Sequence, residues 1–156
     1  MITKHVYLFA LNRQTIKSRN QLIQYCQELI IKTKSNYIKI KKVYCPTLKE
    51  NVVFNAKGFH HILYESGGTP RTVEEKIYKL TLIPLAPAVI RNAIKIKGVR
   101  DVEVRVSRKN RTVLKKGKAY SLVATVGRKN PVAVRVILLR IGNGQLAFRS
   151  IMKNRK

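Results

Sequence analysis

Three histidines stand in a chain that carries 33 Lys and Arg. Two of them, His60 and His61, are adjacent in the stretch NAKGFHHILYES, residues 55–66. Histidine suits proton transfer because its ordinary pKa lies near neutrality. Arg and Lys suit a phosphate, because a fixed charge gains strength where water is excluded. A few histidines among many cations suffice for metal-independent RNA cleavage. That reaction needs a base for the 2′-hydroxyl, cations for the charge that builds on the phosphate, and an acid for the leaving 5′-oxygen. On a helix His60 and His61 lie about 100° apart, so they do not share a face. One packs beside Phe59 and Ile62, and the other reaches a cleft.

The cations that could hold the phosphate are Arg71, Arg135 and Arg140. Arg71 immediately precedes a helix cap. Arg135 interrupts the apolar run VAVRVILLR and Arg140 ends it, where a charge is costly unless it is paired or set on an open face. With a two-residue turn at Asn143-Gly144, Arg140 stands opposite Ala147 and Arg135 opposite Met152. Arg135, Ile137, Leu139, Phe148 and Ser150 then share one sheet face, and Arg140 takes the other. A one-residue slip reverses that grouping. The basic runs RKNR (108–111), KKGK (115–118) and KNRK (153–156) read as loops or tail. The expected phosphate contacts, which add affinity without sequence choice, are Lys57, Arg108, Lys109, Arg111, Lys115, Lys116, Lys118, Arg128, Lys129 and Arg149. The seven tyrosines are scattered and form no stacking platform.

Other chemistries find little support. The histidines and the two cysteines, Cys26 and Cys45, lack metal-ligand spacing, and acids are scarce at seven. No metal and no cofactor is therefore expected. Neither Gly67-Gly68 nor GNG at 142–144 has the strand–loop–helix setting of a phosphate-cradling loop. Asp101 is the sole aspartate, and no Ser-His-Asp set is evident.

The formal net charge of +26 opposes compaction and calls for a polyanionic partner. Both halves are basic: residues 100–156 hold 16 Lys and Arg against Asp101 and Glu103. A hydrophobic content of 45% nevertheless argues for a folded chain rather than a disordered one. No stretch approaches a membrane span, no basic amphipathic helix or lipid signal is present, and the N-terminal run lacks a cleavage site. A soluble, cytoplasmic protein with reduced thiols and no membrane contact is expected.

The 156 residues predict one domain. A helix is expected over 13–32, with Ile16, Leu22, Ile23, Cys26, Leu29 and Ile30 on one face. Alternation in YIKIKKVYC predicts a strand over 37–45, and VVF at 52–54 its hairpin partner. A short helix follows at 57–65. Thr72 and Glu75 have capping-box spacing and start another, broken at Pro84 and Pro87 and resumed to about Ile96. From residue 99 the period changes to two. Strands are expected at VRDVEVRVS, at 119–126, at 132–141 and at QLAFRSIM. The fold class is α+β, a helical N-terminal half followed by a four-stranded antiparallel meander. His5 lies in the apolar run near the N-terminus and carries little functional weight.

The ordered set VVFNAKGFHHILYE (52–65), PRTVEEKIYKLTLIPL (70–85), KAYSLVATV (118–126) and VRVILLRIGNGQLAFRSIM (134–152) resembles the Barnase–EndoU–colicin–RelE (BECR) nuclease superfamily, in its phage- and mobile-element-associated branch. The resemblance spans roughly residues 43–152. It leaves 1–42 as an N-terminal strand and helix extension and 153–156 as a basic tail. It implies a metal-independent, toxin-like endoribonuclease that acts on RNA, free or in the ribosome, and is restrained by an antitoxin or immunity protein. The implied site is His60 or His61, Arg71, Arg135 or Arg140, and Ser150. A non-catalytic basic RNA- or DNA-binding module is the alternative, since it needs only the charge.

Overall fold

A computed structural model describes residues 18–155 of the chain; His5 and Lys156 lie outside that range. Helix α1 (Arg19–Ile40) begins with a reciprocal cap. The Ser18 hydroxyl accepts from the Gln21 amide at 3.3 Å, and the Ser18 amide donates to Gln21 Oε1 at 3.2 Å. The helix runs farther than expected. Tyr37–Ile40 are helical, because Cys26, Leu29, Ile30, Thr33, Tyr37 and Ile40 continue one helical stripe onto the core. The alternation at 37–41 was a coincidence of spacing, and Ile38 is exposed. Lys41, at φ 60°, ends the helix and turns the chain into β1 (Lys42–Cys45).

Strand β1 pairs antiparallel with β2 (Glu50–Val53). Asn55 then caps α2 (Ala56–Leu63), its side-chain oxygen accepting from the Gly58 amide at 3.0 Å. Thr72 caps α3 (Val73–Leu82) by accepting from the Glu75 amide at 3.2 Å. Only this half of the expected capping box forms, since the Glu75 carboxylate instead lies 3.8 Å from Arg71 Nη1. Pro84 tightens residues Ile83–Leu85 into a 3₁₀ turn. Helix α4 (Ala86–Asn92) then stops short of the expected Ile96.

The second half holds β3 (Ile96–Arg108), β4 (Arg111–Val126), β5 (Val132–Ile141) and β6 (Leu146–Lys153). These four form the expected antiparallel meander, but the sheet is larger. Val52 and Val53 of β2 pair in parallel with Leu146 and Ala147 of β6. The result is a six-stranded mixed sheet ordered β1-β2-β6-β5-β4-β3. RKNR supplies the turn of the β3–β4 hairpin, as expected, whereas the KKGK run lies within β4 and is not a loop.

The β5–β6 register corrects the expectation at one end only. Leu139 faces Ala147 and Leu138 faces Phe148, whereas Ile137 faces Ser150 and Arg135 faces Met152. The turn is one residue longer than a two-residue loop, with Gly142 at φ 55°. A bulge at Arg149 absorbs the difference. Phe148 therefore joins the buried helical side with Val134, Val136, Leu138 and Ile151, all at 1% exposure or less. Ser150 keeps the expected register with Ile137.

The helices cover one sheet face. Tyr37, Phe54, Phe59 and Phe148 gather at its centre, Phe54 and Phe148 stacked at 4.9 Å. Tyr37 donates from its hydroxyl to the Asn55 carbonyl at 2.7 Å, tying α1 to the start of α2. Both cysteines are free and buried. Among the described residues, no helix is long and apolar enough to cross a membrane.

Candidate active site

Strand β2 accompanies β6 only as far as Ala147. Beyond that point the outer edge of β6 would present unpaired backbone groups, and α2 and α3 cover it. Tyr78 of α3 accepts from the Lys153 amide through its hydroxyl at 2.7 Å. Lys79 donates through Nζ to the Ile151 carbonyl and to Ser150 Oγ, both at 3.0 Å. Gly58 lets α2 come close: a Cβ there would lie 2.6 Å from both the Phe148 carbonyl oxygen and the Tyr37 hydroxyl. The α2–α3 connection folds back on itself, with Glu65 donating from its amide to Thr69 and Arg71 from its amide to Leu63. That loop carries Arg71 to the end of α2, where Nε donates to the His61 carbonyl at 3.2 Å.

Five residues from these elements thus gather at the β6 edge: Lys79 holds Ser150, Arg71 holds the His61 backbone, and the charges of Arg149, Arg71 and Lys79 act on the His61 imidazole. His61 is half-buried, with Nδ1 at 3.3 Å from the Tyr64 carbonyl. That contact is a hydrogen bond when Nδ1 carries the proton, and it leaves Nε2 as the basic nitrogen. Burial first, and then the field of Arg149, pull the imidazole down to about 4; the Tyr64 carbonyl opposes this, and Arg71 and Lys79 add to it. His61 is therefore neutral at pH 7. Lys79 is 9% exposed. Burial pulls its ammonium down to about 8, helped by Arg71 and opposed by Glu75. It stays mostly protonated at pH 7, closer to a useful acid than an ordinary lysine. Burial also lowers the Arg149 guanidinium, which makes no hydrogen bond or ion pair among the described residues. An arginine nevertheless remains charged.

The other expected site residues lie elsewhere. His60 is exposed and stacks on Tyr64, with ring centroids 4.4 Å apart. Arg135 points away from the helices, between inward Val134 and Val136, and holds Asn154 Oδ1 through Nε at 3.3 Å and Nη2 at 2.9 Å. Arg140 forms an ion pair with both Glu50 carboxylate oxygens and donates to the Gly144 carbonyl at 3.0 Å. It clamps β2 to the β5–β6 turn and does not reach the cluster. Lys57, Lys116, Lys118, Arg128 and Lys129 are exposed, as are Arg108, Lys109 and Arg111, while Lys115 is half-buried. Arg149, expected as a surface phosphate contact, enters the site because the bulge re-aims it.

Lys79 carries only a faint signal in the sequence. Its signal was a lone cation inside the run Ile77–Ile83, where Ile77, Leu80, Leu82 and Ile83 are all buried. Among the described residues no three potential metal ligands stand together. No family model, curated protein or solved structure matches the chain.

Proposed function

We propose that this protein is a metal-independent endoribonuclease, toxin-like, built on the BECR plan that its ordered motifs resemble. The observation that carries the reading is a half-buried neutral imidazole and a buried ammonium beside two guanidiniums and a hydroxyl. One carboxylate, that of Glu75, tempers Arg71 and Lys79. Such a site is short of negative charge, and a phosphodiester supplies it.

In this mechanism His61 Nε2 takes the proton of the RNA 2′-hydroxyl. The 2′-oxygen then forms a bond to phosphorus as the bond from phosphorus to the 5′-oxygen breaks. Arg71 and Arg149 hold the phosphate oxygens while charge accumulates on them. Lys79 delivers a proton to the departing 5′-oxygen, and Ser150 orients the ammonium. The products are a 2′,3′-cyclic phosphate and a 5′-hydroxyl. A group near 4 is a weak base in the empty site, but a bound phosphodiester offsets the three surrounding cations and raises it. DNA has no 2′-hydroxyl and survives.

The test is incubation of labelled RNA and its DNA counterpart in EDTA with wild type, His60→Ala and His61→Ala. The mechanism calls for RNA-only cleavage that His60→Ala retains and His61→Ala loses by at least a hundredfold. Intact RNA in all three reactions, with RNA still retained by the protein, refutes catalysis on free RNA. It favours the second reading, a non-catalytic RNA- or DNA-binding module. That reading has its own support: two of the three N–H groups of Lys79 already secure the β6 edge. The proposed partners are RNA, alone or in the ribosome, and an antitoxin or immunity protein that covers the site.

A further inference from the structure

Strand β5 accompanies β4 only as far as Gly117. Beyond the Val102–Gly117 pair, β3 and β4 continue alone as a two-stranded ribbon, closed by Arg108 opposite Arg111. At about 3.4 Å per residue the ribbon projects roughly 20 Å beyond its neighbours. Lys109 and Asn110 form its tip with φ 43° and 64°, the left-handed pair of a tight hairpin turn.

The register sorts the ribbon's charges into two faces. On one, Asp101 stands opposite Lys118 and Glu103 opposite Lys116, so both acids of β3 meet a lysine across the strands. The other face carries Val102, Val104, Val106 and Val113 with Lys115, and ends at Arg108 and Arg111. No carboxylate lies on that face from 102 to 117. The Arg108–Arg111 juxtaposition sets like charges directly across a strand pair, which the free hairpin bears as a cost and an anion between them relieves. Residues 97–118 contain no aromatic side chain, so unpaired bases find nothing to stack on. Double-helical backbone, in contrast, offers phosphates in a fixed array. The wide, shallow minor groove of A-form RNA is lined by sugars that valines can meet.

We propose that the valine face of the β3–β4 ribbon is a second nucleic-acid site, an arm that lies along double-stranded RNA and takes its phosphates with Arg108, Lys109, Arg111 and Lys115. The choice of RNA over DNA rests on the ribonuclease reading; the arm itself rests on the ribbon's register. It gives the protein a grip on duplex regions away from the cutting site. Lys116 and Lys118, turned to Glu103 and Asp101, contribute little.

The test is fluorescence anisotropy with a labelled 20-base-pair RNA duplex, its DNA counterpart and one single strand, over a series of salt concentrations. All proteins carry His61→Ala, so that binding is read without cleavage. Arg108→Gln/Arg111→Gln/Lys115→Gln is expected to lose at least tenfold in RNA-duplex affinity near 0.1 M salt. Its log–log salt slope should fall by about 2–3, as for the loss of three phosphate contacts. Lys116→Gln/Lys118→Gln should change affinity less than threefold. Equal losses in the two variants would overturn the facial assignment. Preference for the single strand, or DNA binding as tight as RNA binding, would overturn the duplex-RNA assignment. Thermal melting of the triple variant at or above the parent's temperature shows that lost binding is not lost folding. The triple substitution placed in the wild-type background and assayed on a short single-stranded RNA separates the two readings: unchanged cleavage supports an arm distinct from the active site, and abolished cleavage refutes that separation.

Discussion

Lys79 lets the physical account of the site be tested without any substrate. In the unfolded chain a lysine titrates near 10.5, and in the folded protein Lys79 titrates at about 8. Between these values the unfolded chain holds a proton that the folded chain has released. Stability therefore rises with pH across the window, and is lost again as pH falls through 8. Each pKa unit corresponds to about 1.4 kcal/mol, so the rise from pH 7 to pH 10 amounts to about 2–3 kcal/mol. Tyr37 acts in the opposite sense above pH 10, because burial raises its phenol and the unfolded chain ionises first. The measurement is urea unfolding of wild type and Lys79→Met at half-unit steps from pH 7 to 10, read as the difference between the two curves. That difference removes every group the variant shares. The charged groups that act on Lys79 are Arg71 and Glu75, and Lys79 in turn acts on His61 of α2. If the two profiles run parallel, the ammonium is not desolvated and the assignment of Lys79 as a tuned acid fails.

Three further outcomes follow from named contacts. Gly58→Ala gains about 1 kcal/mol of helix propensity, yet its methyl meets a backbone oxygen that has nowhere to move. Overpacking of this kind costs about 1–3 kcal/mol, so a net loss of up to about 2 kcal/mol in urea unfolding is expected, and any gain would discredit the close α2–β6 approach. Arg140→Leu should lower stability by about 1 kcal/mol while leaving RNA affinity and cleavage within twofold, as should Arg135→Gln for cleavage, because both guanidiniums are engaged outside the cluster. Finally, His61 stays neutral down to about pH 4 when folded but protonates below 6.5 when unfolded. Stability should thus fall from pH 6.5 to 4 more steeply in wild type than in His61→Gln, and identical slopes would show an exposed imidazole.

Much of the fold was readable where local chemistry and tertiary packing agree. Thr72 before a helical stripe, Pro84 in a break and the alternating valines of β3 each specify their own element. The failures came where distant contacts decide. Tyr37 is helical because its ring belongs to a cluster with Phe54, Phe59 and Phe148, none of them nearby in sequence. The parallel pairing of β2 with β6 joins segments more than ninety residues apart and leaves no local trace. The candidate site was half legible: the histidine pair, Arg71 and Ser150 stood out, and only the fold shows that His61 is half-buried while His60 is exposed. Arg135 and Arg140 attracted notice for interrupting an apolar strand, yet Asn154 and Glu50 answer that anomaly. Lys79 looked like an ordinary helix lysine, since only the unpaired edge of β6 gives it a reason to turn inward.

The bulge in β6 separates what the sheet requires from what the site requires. Phe148 pairs with Leu138 and Ser150 with the next residue, Ile137. Removing Arg149 would leave every one of these partners in place and the strand in regular alternation. The arginine is thus a surplus residue for the architecture, inserted where the field of its guanidinium acts on the His61 imidazole. A single-codon deletion could silence such a protein while sparing its fold, and a single insertion could restore it. Under the proposed function, that is a one-codon distance between an active and an inactive form.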